Sequence, residues 1–463
     1  MNVNRRWLII SVGLGILLNP LNSSMISVAV ARLKEVYALD FATVSWIVFS
    51  FYVASAIAQP IMGKASDLFG RKKIFLTGLA VAFISSLLAP LSPTFGWLIV
   101  FRIIQSIGTS MMIAVGMALV RVHVTTKQGA ALSVLSIFLS GAAAIGPFVG
   151  GMLIHWQDWP AIFLVNVPFV VAGFLLSWRF IPTENTRQSE ARARSFREWL
   201  QFIDLYGILL FSLALIGTLV SLLSWSSVGK WSLWPVITGV VGLIAFVLFI
   251  RRELAIDKPF IPLRAFVRYP GMAWVNVQYI LINVLYYALF FGVPSYLQMV
   301  RAVDEFNTGL IMLTLGLCSL VASPFAGRWV DRAGARPVLL ASSALMVFGS
   351  IWMVSLNAYS SVFGVIVALA AFGIANGLNG VGIQAALFHS SPHEMIGVAS
   401  GLFNTSRYLG TIGSSLLTGV IMGKQFSASG FRVLGLVLAV IAVSLVIINL
   451  KKSESAVVDK TFS

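Results

Sequence analysis

The sequence predicts an all-α membrane protein of 14 transmembrane helices, arranged as two six-helix bundles plus two inserted helices. Three observations carry this. Of 463 residues, 58% are hydrophobic and 10% charged, with mean hydropathy +0.92, whereas a soluble chain carries roughly 25% charged residues. Fourteen runs approach the roughly 20 apolar residues that cross a bilayer. One loop pattern occurs twice at a fixed spacing, which marks internal duplication.

In chain order the apolar runs are 7–31, 42–62, 74–91, 95–120, 129–154, 161–181, 202–224, 232–250, 271–299, 308–326, 337–357, 361–388, 395–422 and 431–450. The first resembles a signal peptide, Arg5 and Arg6 preceding Trp7–Leu18, but it continues to Val30 with no small-residue cleavage site and reads as an uncleaved helix. The runs at 202–224 and 232–250 are flanked by the longest polar stretches, Pro182–Arg197 and Arg251–Arg268. This divides the chain into a first bundle at 1–181, linkers carrying the inserted pair at 182–268, and a second bundle with a tail at 269–463. The stretch Ser195–Phe202 reads either as an amphipathic helix on the membrane surface or as a plain solvated linker.

An even number of crossings puts both termini on one side. With that side cytoplasmic, Lys and Arg divide 24 inside against six outside (Arg32, Lys34, Lys230, Arg301, Lys424 and Arg432), Arg102 and Arg407 lying within helices. This inside bias sets the orientation and fits a bacterial inner membrane. The net charge of +16 is therefore no nucleic-acid footprint, because its basic residues sit in short loops between apolar runs. The single cysteine, Cys318, allows no intramolecular disulfide and lies in an apolar run, where it packs. The four histidines show no metal-ligand spacing beyond one His389–His393 pair broken by Pro392. No phosphate-binding Gly-rich loop with Lys and Ser/Thr is present, and no nucleophile–base arrangement stands on a polar domain, so neither ATP drive nor an enzyme is expected.

The repeated loop runs Gly63, Asp67, Gly70, Arg71 in its first copy and Gly327, Asp331, Gly334, Arg336 in its second, with matching Gly and Asp positions 264 residues apart. Glycine permits tight turns and close helix approach. Asp67 and Asp331 can pair with an Arg or face a helix N-terminus. Duplicated halves around a central site are how secondary transporters alternate access.

Arg102 sits within an apolar helix, and Gln105 lies one turn on. A charge there costs roughly 2.5–3.5 kcal/mol, so it is expected to be paired or to line a cavity. The run at 129–154 contains Gly141, Gly146, Pro147, Gly150 and Gly151, where small residues four apart let helices touch and Pro allows a bend. Either ordinary helix packing or a rocking contact between halves accounts for these.

Together these stretches resemble the major facilitator superfamily, and more narrowly its fourteen-helix drug–proton antiporters, which include multidrug and tetracycline exporters. The repeated loop matches the superfamily signature between the second and third helices. Arg102, Gln105 and Gly108 match the fourth-helix signature. Gly146-Pro147 with Gly150-Gly151 matches the antiporter signature of the fifth, which implies export. Asp158 to Pro168, Asp204 to Gly207, Lys258 to Leu263 and Ser400 to Gly410 are similar to stretches of this branch. The branch usually carries an Asp early in its first helix; here Asn22 takes that position, and Asn carries neither proton nor charge.

The resemblance implies a major facilitator fold and proton-driven multidrug efflux of amphipathic or cationic drugs, such as dyes and fluoroquinolones, by rocking-type alternating access. A narrow tetracycline-like exporter and a neutral-solute uniporter of the same fold are the alternatives. The expected partners are small-molecule drugs, protons and lipid, with no cofactor, no nucleic acid and a monomeric state. With Asn22 uncharged, coupling falls to Asp67, Asp331, Asp204, Glu394, Asp304 and Glu305 at helix ends, switched against Arg102 or Arg407. A drug pocket is mostly apolar and aromatic with a few placed polar groups. The candidates are Asn19, Asn22, Tyr52, Gln59, Gln105, Asn276, Asn283, Tyr286, Tyr287, Phe290, Phe291, Asn376, Asn379, Gln384 and Asn404. For each aromatic alone, lipid contact or packing is the stronger reading. A polar side chain in lipid is costly, so the asparagines call for a cavity or a helix–helix hydrogen bond. Met111, Met112 and Met117 could line a promiscuous surface or simply pack.

Overall fold

The computed structural model describes residues 5–123, 128–182, 204–227, 233–256, 259, 261, 263–356, 360–391, 396–422 and 427–451; no strand occurs among them. The segment Ser195–Phe202 and Glu394 lie outside the described residues.

Proline sets the breaks in the early helices. Pro20 cannot donate to the carbonyl of Ile16, and the first crossing is split into α1 (Arg5–Ile16) and α2 (Leu18–Val36). Asp40 caps the next crossing, accepting from the Thr43 amide at 2.6 Å. That crossing comprises α3 (Phe41–Val44) and α4 (Trp46–Phe69). There follow α5 (Arg71–Leu88), α6 (Phe95–His123) and α7 (Gln128–Gln157). Pro168 likewise separates α8 (Ala161–Leu164) from α9 (Asn166–Phe180). The later helices are α10 (Leu205–Ser227), α11 (Trp234–Ala255), α12 (Arg264–Arg268), α13 (Pro270–Met299), α14 (Glu305–Ala333), α15 (Ala335–Ser355), α16 (Val362–Ser390), α17 (Ile396–Met422) and α18 (Ala428–Lys451).

Among the described residues, 12 spans are long and apolar enough to cross a bilayer, rather than the 14 expected. The helices α10 and α17 fall outside that count. The described apolar part of α10 ends at Ser221, and α17 carries Asn404, Thr405, Ser406 and Arg407 within its length.

Duplication reaches well beyond the repeated loop. Gly70 (φ 94°) and Gly334 (φ 78°) are the single-residue joints between α4 and α5 and between α14 and α15. Both adopt positive φ, which explains why Gly recurs there. At the same 264-residue step, Ala38 and Ala302 both sit at φ 51°. Asp40 and Asp304 each cap a helix, and Pro60 and Pro324 each lie inside one. By contrast a β-carbon at Gly63 or Gly327 would meet nothing within 4 Å, so neither serves close helix approach in this arrangement.

The helices α1 to α9 pack chiefly on one another, as do α13 to α18; the two sets meet along α7–α14, α4–α17 and α2–α13. The inserted helices α10 and α11 pack together, and α10 leans on α17 and α4. Gly217 and Gly242 bring that pair into contact, a β-carbon at Gly217 lying 2.9 Å from the Gly242 Cα.

The glycines of α7 serve two contacts. Gly146 and Gly150 face α2 within the first set, a β-carbon at Gly150 lying 2.9 Å from the Met25 carbonyl oxygen. Gly151 faces the other set, against the Glu305 carbonyl; Gly309 packs 2.6 Å from the Pro147 carbonyl oxygen and Gly316 2.5 Å from the Ala144 Cβ, again measured from an added β-carbon. Beyond Ala144 the helices part, and Gly141 has open space. Gln298 of α13 donates to the Val28 carbonyl of α2 at 3.1 Å, on the same closed side.

The two glycines of the second loop should separate in a stability measurement. Gly334→Ala should cost about 1–3 kcal/mol from backbone strain alone, since no neighbour crowds its β-carbon. Gly327→Ala, in a helix interior, should be neutral or stabilise by up to about 1 kcal/mol. Equal Tm values for both variants would contradict the positive-φ joint.

Candidate functional site: a chamber between the halves

Where α7 and α14 part, a chamber of about 630 Å³ opens between the two sets of helices. This volume is within the usual range of small-molecule sites. Ser140, Ala143 and Ala144 of α7 form one wall; Gly316, Ser319 and Ser323 of α14 form the facing one. Asn19, Ser23 and Ser24 enter from α2 and Tyr52 from α4. From α13 come Tyr279, Asn283, Tyr286, Tyr287 and Phe290; Asn376 and Asn379 come from α16, and Arg407, Tyr408 and Thr411 from α17. Asn19 and Asn283 are equivalent under the 264-residue step, so the duplicated halves place an asparagine at the same position, and Asn376 and Asn379 add two more from the second half.

Each asparagine is held by a neighbour, which orients it. Asn19 donates to the Thr109 hydroxyl at 3.0 Å, Asn283 to the Tyr279 carbonyl at 2.7 Å, and Asn376 to the Ser319 hydroxyl at 3.0 Å. The Asn379 amide lies 3.7 Å from the Met346 sulfur, a weak acceptor. The aromatic wall is a cluster of edge-on and offset rings: Tyr52–Tyr287 at 5.7 Å, Tyr286–Tyr287 at 5.4 Å and Tyr286–Phe290 at 5.9 Å between centroids. The Tyr52 hydroxyl is buried and makes no direct hydrogen bond of normal geometry; Ser23 is its polar neighbour.

Arg407 is the charged residue of this lining. Its Nη2 donates to the Tyr408 hydroxyl at 3.0 Å, and its guanidinium lies 4.9 Å from the Tyr408 ring centroid. Gln59 of α4 also donates to the Tyr408 hydroxyl, tying the halves together at the chamber edge. No Asp or Glu is among the described lining residues. The expected preference for cations therefore finds no counter-charge in the chamber.

Several expected pocket residues are elsewhere. Asn22 is buried inside the first set, exchanging two hydrogen bonds with Asn166 (2.9 and 2.8 Å) and donating to the Leu18 carbonyl. Gln105 accepts from Arg102 at 2.8 Å and donates to Ser86 at 3.0 Å, away from the chamber. Asn276 holds Ser406 at 2.9 Å and lines a separate apolar cavity beside α10 and α11. Phe291 packs behind Tyr52, 6.4 Å between centroids. Gln384 and Asn404 are exposed and do not line the chamber. Sequence reasoning missed Tyr279 and Tyr408. The available signals were Tyr279 one turn before Asn283, and Tyr408 beside an intramembrane Arg.

The candidate coupling groups are also dispersed. Arg102 is 1% exposed, stacks 4.3 Å from the Phe51 ring centroid, and leaves Nε and Nη2 without hydrogen bonds. Asp204 is buried against Arg252 at 2.7 Å, and its Oδ1 accepts from the Gly207 amide. Asp331 is exposed, and Arg336 caps α18 by donating to the Asn449 and Leu450 carbonyls at 3.1 and 2.7 Å. The Asp67 side chain lies outside what is described. Asp304 accepts from the Asn307 amide, and that hydrogen bond holds its carboxyl below the ordinary value. At the same end Arg32 binds Asp158 through two hydrogen bonds, 2.8 and 2.9 Å, which likewise hold the Asp158 carboxyl low.

A folded carboxyl with a depressed pKa contributes stability that is complete above the ordinary carboxylate value and is lost as pH falls through the lowered one. Asp158→Asn should therefore lower Tm at neutral pH and flatten its decline below about pH 4. Asp304→Asn should leave the pH dependence of transport unchanged between about pH 6 and 8; a shifted profile in reconstituted vesicles would make Asp304 a coupling group.

Comparison with known proteins identifies the architecture. The family described as the Major Facilitator Superfamily matches residues 12–415 and again residues 302–461. The MFS-type transporter YwoD of Bacillus subtilis (strain 168) is 41% identical over 437 residues, 94% of each chain. The methylenomycin A resistance protein of Streptomyces coelicolor is 26% identical over 89% of this chain and 85% of its own. Among solved structures, a mutant of the nucleoside transporter NupG superposes with TM-score 0.65 at 12% identity, covering 96% of this chain and 98% of its own, a likeness of fold alone. With a chamber between duplicated helical halves and a family match running through nearly its whole length, the chain is a multi-pass membrane transporter of the major facilitator superfamily.

Proposed function

We propose that this transporter exports drug-like amphipathic molecules from the cytoplasm, driven by the proton gradient, by rocking its two halves about the chamber. The carrying observation is the chamber itself, closed on the side where Gly151, Gly309 and Gly316 bring α7 against α14, with those helices parted toward the repeated loops. Such a cavity serves alternating access if the halves tilt as near-rigid bodies. Similarity to an antibiotic resistance protein and the antiporter pattern at Gly146-Pro147 and Gly150 support export. The chain then has 14 spans, α10 and α17 completing the count, with divisions at 1–181, 182–268 and 269–463. Both termini and the repeated loops face the cytoplasm of a bacterial cell, where the excess of Lys and Arg lies.

On this reading the structure is the cytoplasm-open state. Space around Gly63 and Gly327 is what a closing movement would take up, and Asp67 and Asp331 latch those loops when the outer side opens. Protons act at helix-end carboxylates other than Asp304, remote from the cargo. A second reading, a uniporter or permease of the same fold, is favoured by one observation: no carboxylate is among the described lining of the chamber.

Uptake of norfloxacin and of tetracycline into inverted vesicles, with and without an imposed pH gradient, tests this. Gradient-dependent uptake of both is expected. Uptake of tetracycline alone indicates a narrow exporter, and uptake indifferent to the gradient supports the permease. Gly316→Leu, which would force α7 from α14, should abolish uptake while the protein remains folded. Retained uptake would contradict the rocking contact.

A further inference from the structure

From the chamber's charge we infer that its cargo is a planar aromatic molecule bearing an anionic group, such as a carboxylate, which binds against Arg407. This rests on the chamber being the substrate site and names the chemical class of what enters it. Arg407 is held by α17 in the chamber wall, with no acidic residue among the described lining to neutralise it. Among the described residues its one side-chain hydrogen bond is to a neutral hydroxyl, that of Tyr408, and involves Nη2. A guanidinium carries five N–H donors in a planar fork matched to a carboxylate, so donors remain for a ligand. A half-buried cation facing a cavity with no counter-ion among the described lining favours an anion and disfavours a second cation.

The surrounding groups fit the rest of such a molecule. Tyr52, Tyr286, Tyr287 and Phe290 form an edge-on and offset wall, against which a flat ring system can stack. Asn283 shares α13 with three of these rings and lines the chamber, offering a polar contact. The Tyr52 hydroxyl, buried beside Ser23, is a second. The other intramembrane Arg, Arg102, is buried and is not part of this lining: it stacks on Phe51 within the first set of helices.

The test uses full-length protein in lipid nanodiscs and three probes sharing one ring system: 2-naphthoate, 2-naphthamide and 2-naphthylmethylammonium. Calorimetric binding should favour the naphthoate by roughly tenfold or more, the scale of a charge-assisted hydrogen bond. Arg407→Gln should reduce naphthoate binding to the naphthamide level, and Arg407→Lys should keep the order of the three. Ser319→Trp, which fills the chamber from α14, should weaken all three probes. Equal binding, or a preference for the ammonium, with Ser319→Trp still blocking, overturns the charge assignment alone. So does a naphthoate preference that survives Arg407→Gln. Binding untouched by Ser319→Trp overturns the chamber as the site, and the charge assignment with it. If Arg407→Gln fails to fold, the order of the probes on the wild-type protein decides.

Discussion

The close crossing of α7 and α14 is the contact on which the rest of this structure depends. In a bilayer, lipid tails are as apolar as leucine, so helices gain little by hiding from their surroundings and associate through tight van der Waals contact. Gly151, Gly309 and Gly316 lack the β-carbons that would hold the two backbones apart. The contact ends near Ala144: Gly141, one turn away, has nothing facing it, and the chamber begins there. A sealed end and an open cavity thus follow from one helix pair whose small residues meet over only part of its length.

The chamber holds one cationic side chain and no described acid. Its charge is cationic, and its acidic counterparts are spent elsewhere: Asp158 on Arg32, Asp204 on Arg252, Asp40 and Asp304 on helix caps. These pairings stabilise loops and helix ends, and the lowered pKa of Asp158 and Asp304 keeps them charged through neutral pH. An anionic cargo leaving an inside-negative cell would also move with the membrane potential, which contributes roughly 2.3 kcal/mol per charge per 100 mV. Electrical drive would then add to, or stand in for, a proton step that no described chamber carboxylate supports.

Much of the architecture was legible because membranes enforce it. Apolar length marks crossings, and the 264-residue step revealed the duplication from three residues, which Ala38/Ala302, Asp40/Asp304 and Pro60/Pro324 extend in three dimensions. The site was legible in kind but not in place. Asn19 and Asn22 are equally polar and one turn apart, yet Asn19 lines the chamber while Asn22 closes a hydrogen-bonded pair with Asn166. Which side of a helix faces a cavity depends on rotation and partner, and a helix apolar all round carries no periodic signal for it. Arg407 stands out as a charge in an apolar run, but that no acidic residue joins it in the described lining only the fold reveals. The two functions of the α7 glycines were hidden for the same reason: Gly146, Gly150 and Gly151 are alike in sequence and face different helices.

If the halves move about the chamber, the distance between the two repeated-loop helices changes with it. Spin labels at Gly63→Cys and Gly327→Cys, in a Cys318→Ser background, sit on the two repeated-loop helices where nothing crowds a side chain. Pulsed electron resonance in nanodiscs should reveal two populations, a longer and a shorter separation, whose ratio shifts when norfloxacin is added. A single separation, unchanged by cargo, would contradict the account.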